Sequence, residues 1–140
     1  MTSNEQHFKR DAWLSQRHRG WGYNTPAMDI DFLMVEYDQR VAKALIEYRH
    51  LNGAVRIDAS IQAIINLADR ANVPFFIVQY YYDTDTGKLW KEATIDTPAF
   101  FRIIPINDTA KQPQYAWNGF DWLSEQQYTE WLHKIRGRTP

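Results

Sequence analysis

The chain has 140 residues, a formal net charge of −1, no cysteine and 44% hydrophobic residues. These values exclude a disulfide framework, a thiolate metal site, a global basic field for nucleic acid and a low-hydrophobicity disordered polymer. They fit one domain spanning 1–140, long enough to bury roughly 68% of its unfolded surface. No apolar run reaches membrane length, and the opening M-T-S-N-E-Q-H-F-K-R is not a signal peptide, so a cytoplasmic protein without a membrane partner is expected. Aromatic residues are plentiful, with six Trp, eight Tyr and seven Phe. A core of large side chains accounts for many of them, and stacking on bases is a second use.

Ser3 and Gln6 have the spacing of a capping box, which predicts a helix from about Asn4 to Arg19. Arg10, Trp13 and Arg17 recur on one face of it, and Arg19 adds positive charge. That face reads either as a solvated surface with Arg–Trp cation–π packing or as a phosphate-contacting surface for nucleic acid. Gly20-Trp21-Gly22-Tyr23-Asn24-Thr25-Pro26 breaks the helix and leads into the next element.

The stretch Met28 to His50 is rich in Ile, Phe, Val and Tyr and divides at Asp38-Gln39-Arg40. It predicts two antiparallel strands, roughly Asp29–Tyr37 and Val41–His50. Glu47 lies inside the apolar run of the second strand, where a lone charge is expensive to bury. Residues two apart in a strand share a face, so Asp29 pairs with Asp31, and Glu47 with Arg49. If the turn holds an odd number of residues, odd positions of the two strands stand side by side. Asp31, Glu47 and Arg49 then converge on one spot. Two carboxylates so placed repel and call for a cation, and Mg²⁺ is held by such oxygen ligands. The alternative is a structural ion pair of Glu47 with Arg49 or Lys43, of the kind that contributes about 0–1 kcal/mol when exposed.

Leu51-Asn52-Gly53 is a loop, and a helix follows from about Ala59 to Ala71 with Asp58 or Ser60 as its N-cap. Ile61, Ile64, Ile65 and Ala68 form its sheet-facing stripe. Gln62 stands beside that stripe in the first turn. It reads by itself as a solvent-facing polar residue grouped with Asn66 and Asp69. Asn72-Val73-Pro74 ends the helix, and Phe75 to Tyr82 suits a strand buried on both faces. Strand, helix and strand in this order predict a parallel crossover. Asp83-Thr84-Asp85-Thr86-Gly87 is a turn that lacks the remaining spacing of a calcium loop. Lys88 to Glu92 has the character of a short strand, and Ala99 to Ile106 of a longer one, with Pro105 at its edge or end. A polar loop spans Asn107 to Gly119. Ser124 and Gln127 open a last helix, Glu125 to Arg136, which packs Tyr128, Trp131, Leu132 and Ile135 and stops at Gly137. Lys134 and Arg136 suit the negative end of its dipole.

The residues Asp29-Ile30-Asp31, followed by A-L-I-E-Y-R-H with Glu47-Tyr48-Arg49, resemble the PD-(D/E)xK nuclease superfamily. The second phrase is similar to the A-L-x-E-Y-K-H form of small stand-alone bacterial and phage members. Arg49 stands where the family has Lys. The resemblance implies an α/β, restriction-endonuclease-like core, with a mixed sheet, an antiparallel hairpin, a parallel βαβ crossover and flanking helices. It implies Mg²⁺ or Mn²⁺ held by Asp31, Glu47 and the Tyr48 carbonyl, with Asp29 a second ligand or a neighbour. Arg49 and Gln62 then assist catalysis, and DNA is the partner; a domain this small often needs a second copy to grip a duplex, which makes a homodimer one expectation. Two other readings are carried with it: a catalytically inactive DNA- or protein-binding module on the same fold, and a nuclease directed at RNA.

Overall fold

Val41–His50 is the longest described strand, β2; its centre, Ala44 to Glu47, is buried on both faces, and those two faces organise the rest. A computed structural model describes residues 30–86, 93–117 and 119–137, together with Trp13, Leu14, Gln16, Arg17, Gly20 and Met28. In chain order the described elements are β1 (Phe32–Glu36), β2, α1 (Ala59–Ala71), β3 (Phe75–Tyr82), β4 (Ala99–Pro105), β5 (Leu123–Ser124) and α2 (Glu125–Arg136). The five strands form one open sheet in sequence order, β1-β2-β3-β4-β5. Only β2 and β3 run parallel, joined by α1; the other neighbours are antiparallel. The protein is therefore α/β with a mixed sheet, an antiparallel hairpin and a parallel βαβ unit.

The helices lie on opposite faces, because successive residues of β2 and β3 point opposite ways. Leu45, Phe75 and Ile77 pack with Ile61, Ile64 and Ala68 of α1. Ala44, Ile46, Phe76 and Val78 pack with Tyr128, Trp131 and Ile135 of α2. Burying each large side chain contributes about 1.5–3 kcal/mol. The helix ends are closed locally. Asp58 caps α1 by accepting from the Ile61 N–H, and Asn72 ends it in the left-handed region at φ 56°. Ser124 and Gln127 form a reciprocal capping box at α2, and Gly137 ends that helix at φ 86°.

The hairpin reaches the expected register by an unexpected route. Its turn holds four residues, 37–40, between the pair Glu36 and Val41, so the parity at the tip is even. The register shifts between Met34 and Val35, leaving Lys43 bulged out of the ladder. The bulge restores odd-with-odd pairing, and Phe32 opposite Ile46 sets Asp31 across from Glu47. β1 is also shorter than the expected Asp29–Tyr37. It begins only at Phe32 because the Asp31 side chain takes the Tyr48 N–H that a continued strand would bond.

Other expectations meet the structure in particular ways. β3 is buried on both faces only from Phe75 to Val78, and its second half, Gln79–Tyr82, is partly exposed. β4 ends at Pro105. The polar stretch after it contains two short 3₁₀ turns, Thr109–Lys111 and Pro113–Tyr115. β5 was not expected at all; it pairs Leu123 with Phe101 and Ser124 with Phe100. Lys88 to Glu92 lies outside the described residues, as does most of the expected N-terminal helix, of which Trp13, Leu14, Gln16 and Arg17 are helical and exposed. Among the described residues no helix is long and apolar enough to cross a membrane.

The α2 face of the sheet carries a titratable pair. The hydroxyls of Tyr48 and Tyr128 are 2.6 Å apart. Burial, then the neighbouring Tyr48, pushes the Tyr128 hydroxyl far above its ordinary value of 10.0. Burial also raises Tyr48; the Tyr128 hydrogen bond pulls it back, and the charge of Asp31 raises it further. A folded-state pKa above the unfolded one means stability that is complete below about pH 10 and lost as pH rises beyond it. Tyr128→Phe is accordingly expected to flatten the alkaline fall in Tm, measured from about pH 8 to about pH 11, at a neutral-pH cost of about 1 kcal/mol for the lost hydrogen bond. An unchanged alkaline slope would assign that fall to other groups.

Candidate metal and phosphate site

Asp31 is clasped to β2 at Glu47 and Tyr48 by two hydrogen bonds. The Asp31 N–H donates to Glu47 Oε1 at 3.0 Å, and the Tyr48 N–H donates to Asp31 Oδ2 at 2.9 Å. Asp31 sits at the exposed mouth of the hairpin, whereas Glu47 is 4% exposed. A carboxylate buried to that degree needs compensating donors, and the Asp31 N–H is one. The second is Arg49, whose Nη1 lies 3.3 Å from Glu47 Oε2 and donates to the Tyr48 carbonyl at 3.0 Å. Asp31, Glu47, Tyr48 and Arg49 are thus brought together just before the start of β1 and in the C-terminal part of β2.

The other residues picked out by the sequence are placed differently. Gln62 lies in the first turn of α1 and is exposed; among the described residues its side chain makes no hydrogen bond to Asp31, Glu47 or Arg49. Trp13 is 56% exposed and Arg17 is exposed, while Arg10, Arg19 and Asp29 lie outside the described residues. Lys134 donates to the Ala116 carbonyl at 2.7 Å, a structural use of its charge.

The donor set is all oxygen: a buried carboxylate, an exposed carboxylate and a main-chain carbonyl. That chemistry fits a hard divalent cation that keeps waters and takes further oxygens from a phosphate. The Arg49 guanidinium bonds two of these three ligand groups, Glu47 Oε2 and the Tyr48 carbonyl, so a positive group already stands beside those two oxygens. Among the described residues no group of three or more His, Cys, Asp and Glu could hold a metal by side chains alone. Any ion here would rely on the Tyr48 carbonyl, water and substrate to complete its shell.

Residue spacing did not reveal two features. The clasp runs through the main-chain N–H groups of Asp31 and Tyr48, to which a motif of side chains is blind. Asn107, assigned to a polar loop, is 3% exposed and is a hub. Its Oδ1 accepts from the Phe75 and Ala110 N–H groups, and its Nδ2 donates to Asp69 Oδ1 and the Val73 carbonyl. Comparison with protein families, with curated proteins and with solved structures returns no match for the chain.

Proposed function

We propose that the chain is a Mg²⁺- or Mn²⁺-dependent nuclease of the PD-(D/E)xK type that hydrolyses phosphodiester bonds in DNA. The observation that carries this reading is the clasp of Asp31 to Glu47, with the Tyr48 carbonyl alongside and Arg49 against both. The restriction-endonuclease-like core belongs to the same reading. It is supported by a hairpin whose second strand enters a parallel βαβ unit, with the carboxylates at the junction.

Asp31, Glu47 and the Tyr48 carbonyl would hold the ion. When bound, it supplies Lewis-acid chemistry, lowering the pKa of water and offsetting charge on the phosphate. The Glu47 side chain lies in a buried setting, where attraction between a carboxylate and a cation is screened less than in water. Arg49 cannot serve as a general base, since its pKa exceeds about 12. Its planar fork instead clamps a phosphate oxygen and orients the attacking water. The exposed Trp13 and Arg17, with Arg10 and Arg19, contact the DNA, and Gln62 reaches the substrate from the solvent side of α1. The test is incubation of supercoiled plasmid with purified protein and Mg²⁺ or Mn²⁺, beside matched RNA. Nicking that EDTA stops supports the reading; intact plasmid under both metals refutes it.

Arg49 also favours a second reading, a nuclease fold that binds DNA or protein without cutting. Its guanidinium bonds two of the oxygens a metal would need, so guanidinium and ion compete. In an active enzyme, Arg49→Ala is expected to bind Mn²⁺ roughly fivefold more tightly yet cleave about 10²-fold more slowly, read by metal titration and single-turnover cleavage. A silent wild type that gains cleavage on Arg49→Lys would instead identify a decayed site.

A further inference from the structure

On the sheet face opposite Glu47, the partly exposed half of β3 opens onto a cavity of about 430 Å³. Phe32, Tyr48, Tyr80, Tyr82 and Phe101 line it, and Glu125 stands among them. Strand alternation puts these rings on one side: Phe32 follows Asp31 and Tyr48 follows Glu47, so each points away from the carboxylate clasp. The register aligns Tyr80 with Phe101 across β3 and β4. Neighbouring rings stand nearly at right angles: Phe32 to Tyr48 at 88° and 5.3 Å, Tyr48 to Tyr80 at 72° and 6.4 Å, Tyr80 to Tyr82 at 73° and 5.7 Å. Rings at such angles present edges as well as faces to the volume they line.

We propose that this aromatic box binds a small organic cation of the alkylated-ammonium class. Ring faces attract a cation through their quadrupole, most strongly where it is desolvated, and a ring of several faces suits a quaternary ammonium that can make no hydrogen bonds. Charge agrees with shape. Glu125 is the only carboxylate among the described lining residues, and no Lys, Arg or His is among them. Ser124 and Gln127 take up each other's main-chain N–H groups at the start of α2. Glu125 follows Ser124 at the helix start and brings a carboxylate to the box. The volume lies in the range of small-molecule sites, about 300–1,000 Å³. A nucleobase would also stack on such rings, but its flanking phosphates would meet Glu125 with no compensating cation among the described lining residues. The proposal is independent of the nuclease reading, since it uses the other face of the sheet and no metal.

The test is calorimetric titration of the full chain, in EDTA and without DNA, with choline, with its uncharged isostere 3,3-dimethylbutanol and with thymidine. Choline is expected to bind about tenfold more tightly than the isostere. Glu125→Gln, an exposed substitution that leaves the core untouched, is expected to erase most of that preference, and Tyr82→Leu to weaken choline further. Circular dichroism verifies that both variants fold. Equal binding of choline and its isostere, or no choline binding at all, overturns the proposal. So does a response to thymidine alone, which would give the rings to base stacking.

Discussion

Glu47→Gln is expected to lower metal-dependent DNA cleavage by about 10²–10³-fold, the loss that follows when one group aimed at transition-state charge is removed. The substitution is nearly isosteric, which matters at a side chain only 4% exposed. The glutamine oxygen still accepts the Asp31 N–H that Glu47 Oε1 accepts at 3.0 Å, so the hairpin mouth keeps its geometry. What disappears is the buried negative charge and its pairing with Arg49. DNA affinity without metal should change little, because no DNA contact is assigned to Glu47. Single-turnover cleavage beside a metal-free binding assay separates the two effects. Cleavage within tenfold of wild type would remove Glu47 from the chemistry.

The largest effect on stability is expected at Asn107. Asn107→Leu keeps the size of the side chain and removes its polar atoms, leaving the Phe75 and Ala110 N–H groups and the Val73 carbonyl without their partner. Each buried group so orphaned costs about 1–3 kcal/mol, so a loss of about 3 kcal/mol in urea-measured stability is expected after relaxation. Asn107 ties the start of β3 to the end of α1 and to the turn after β4, and three elements loosen together. Asn107→Asp, which keeps the acceptor for both N–H groups but sets a second carboxylate beside Asp69, should fall between the two. A loss under about 1 kcal/mol for the leucine variant would mean that water replaces the side chain.

These two residues mark what local pattern conveys and what it leaves out. α1 and α2 were legible to the residue, because an apolar stripe of helical period is bracketed by a capping side chain and a left-handed stop in each. β2 and β3 were legible as runs of β-branched and aromatic residues with polar or proline boundaries. β5 was not, since two residues carry no period and exist as a strand only through Phe100 and Phe101. The convergence of Asp31 on Glu47 was legible only as a condition on the turn. The turn failed that condition with four residues, and the bulge at Lys43 met it. Asn107 reads as loop because three of its four partners, Phe75, Asp69 and Val73, lie more than thirty positions away. Pairing across distance also hid the aromatic box, whose rings belong to four strands and are assembled by register.

The central claim is that Asp31 and Glu47 share one divalent cation, and Mn²⁺ binding followed by electron paramagnetic resonance tests it without any substrate. Asp31→Asn is the decisive variant, because its amide oxygen can still accept the Tyr48 N–H while its charge is gone. The account predicts a Mn²⁺ site in the wild type that is weakened at least about tenfold by Asp31→Asn and equally by Glu47→Gln. Mn²⁺ binding that neither substitution alters, or no binding to the wild type, would contradict it.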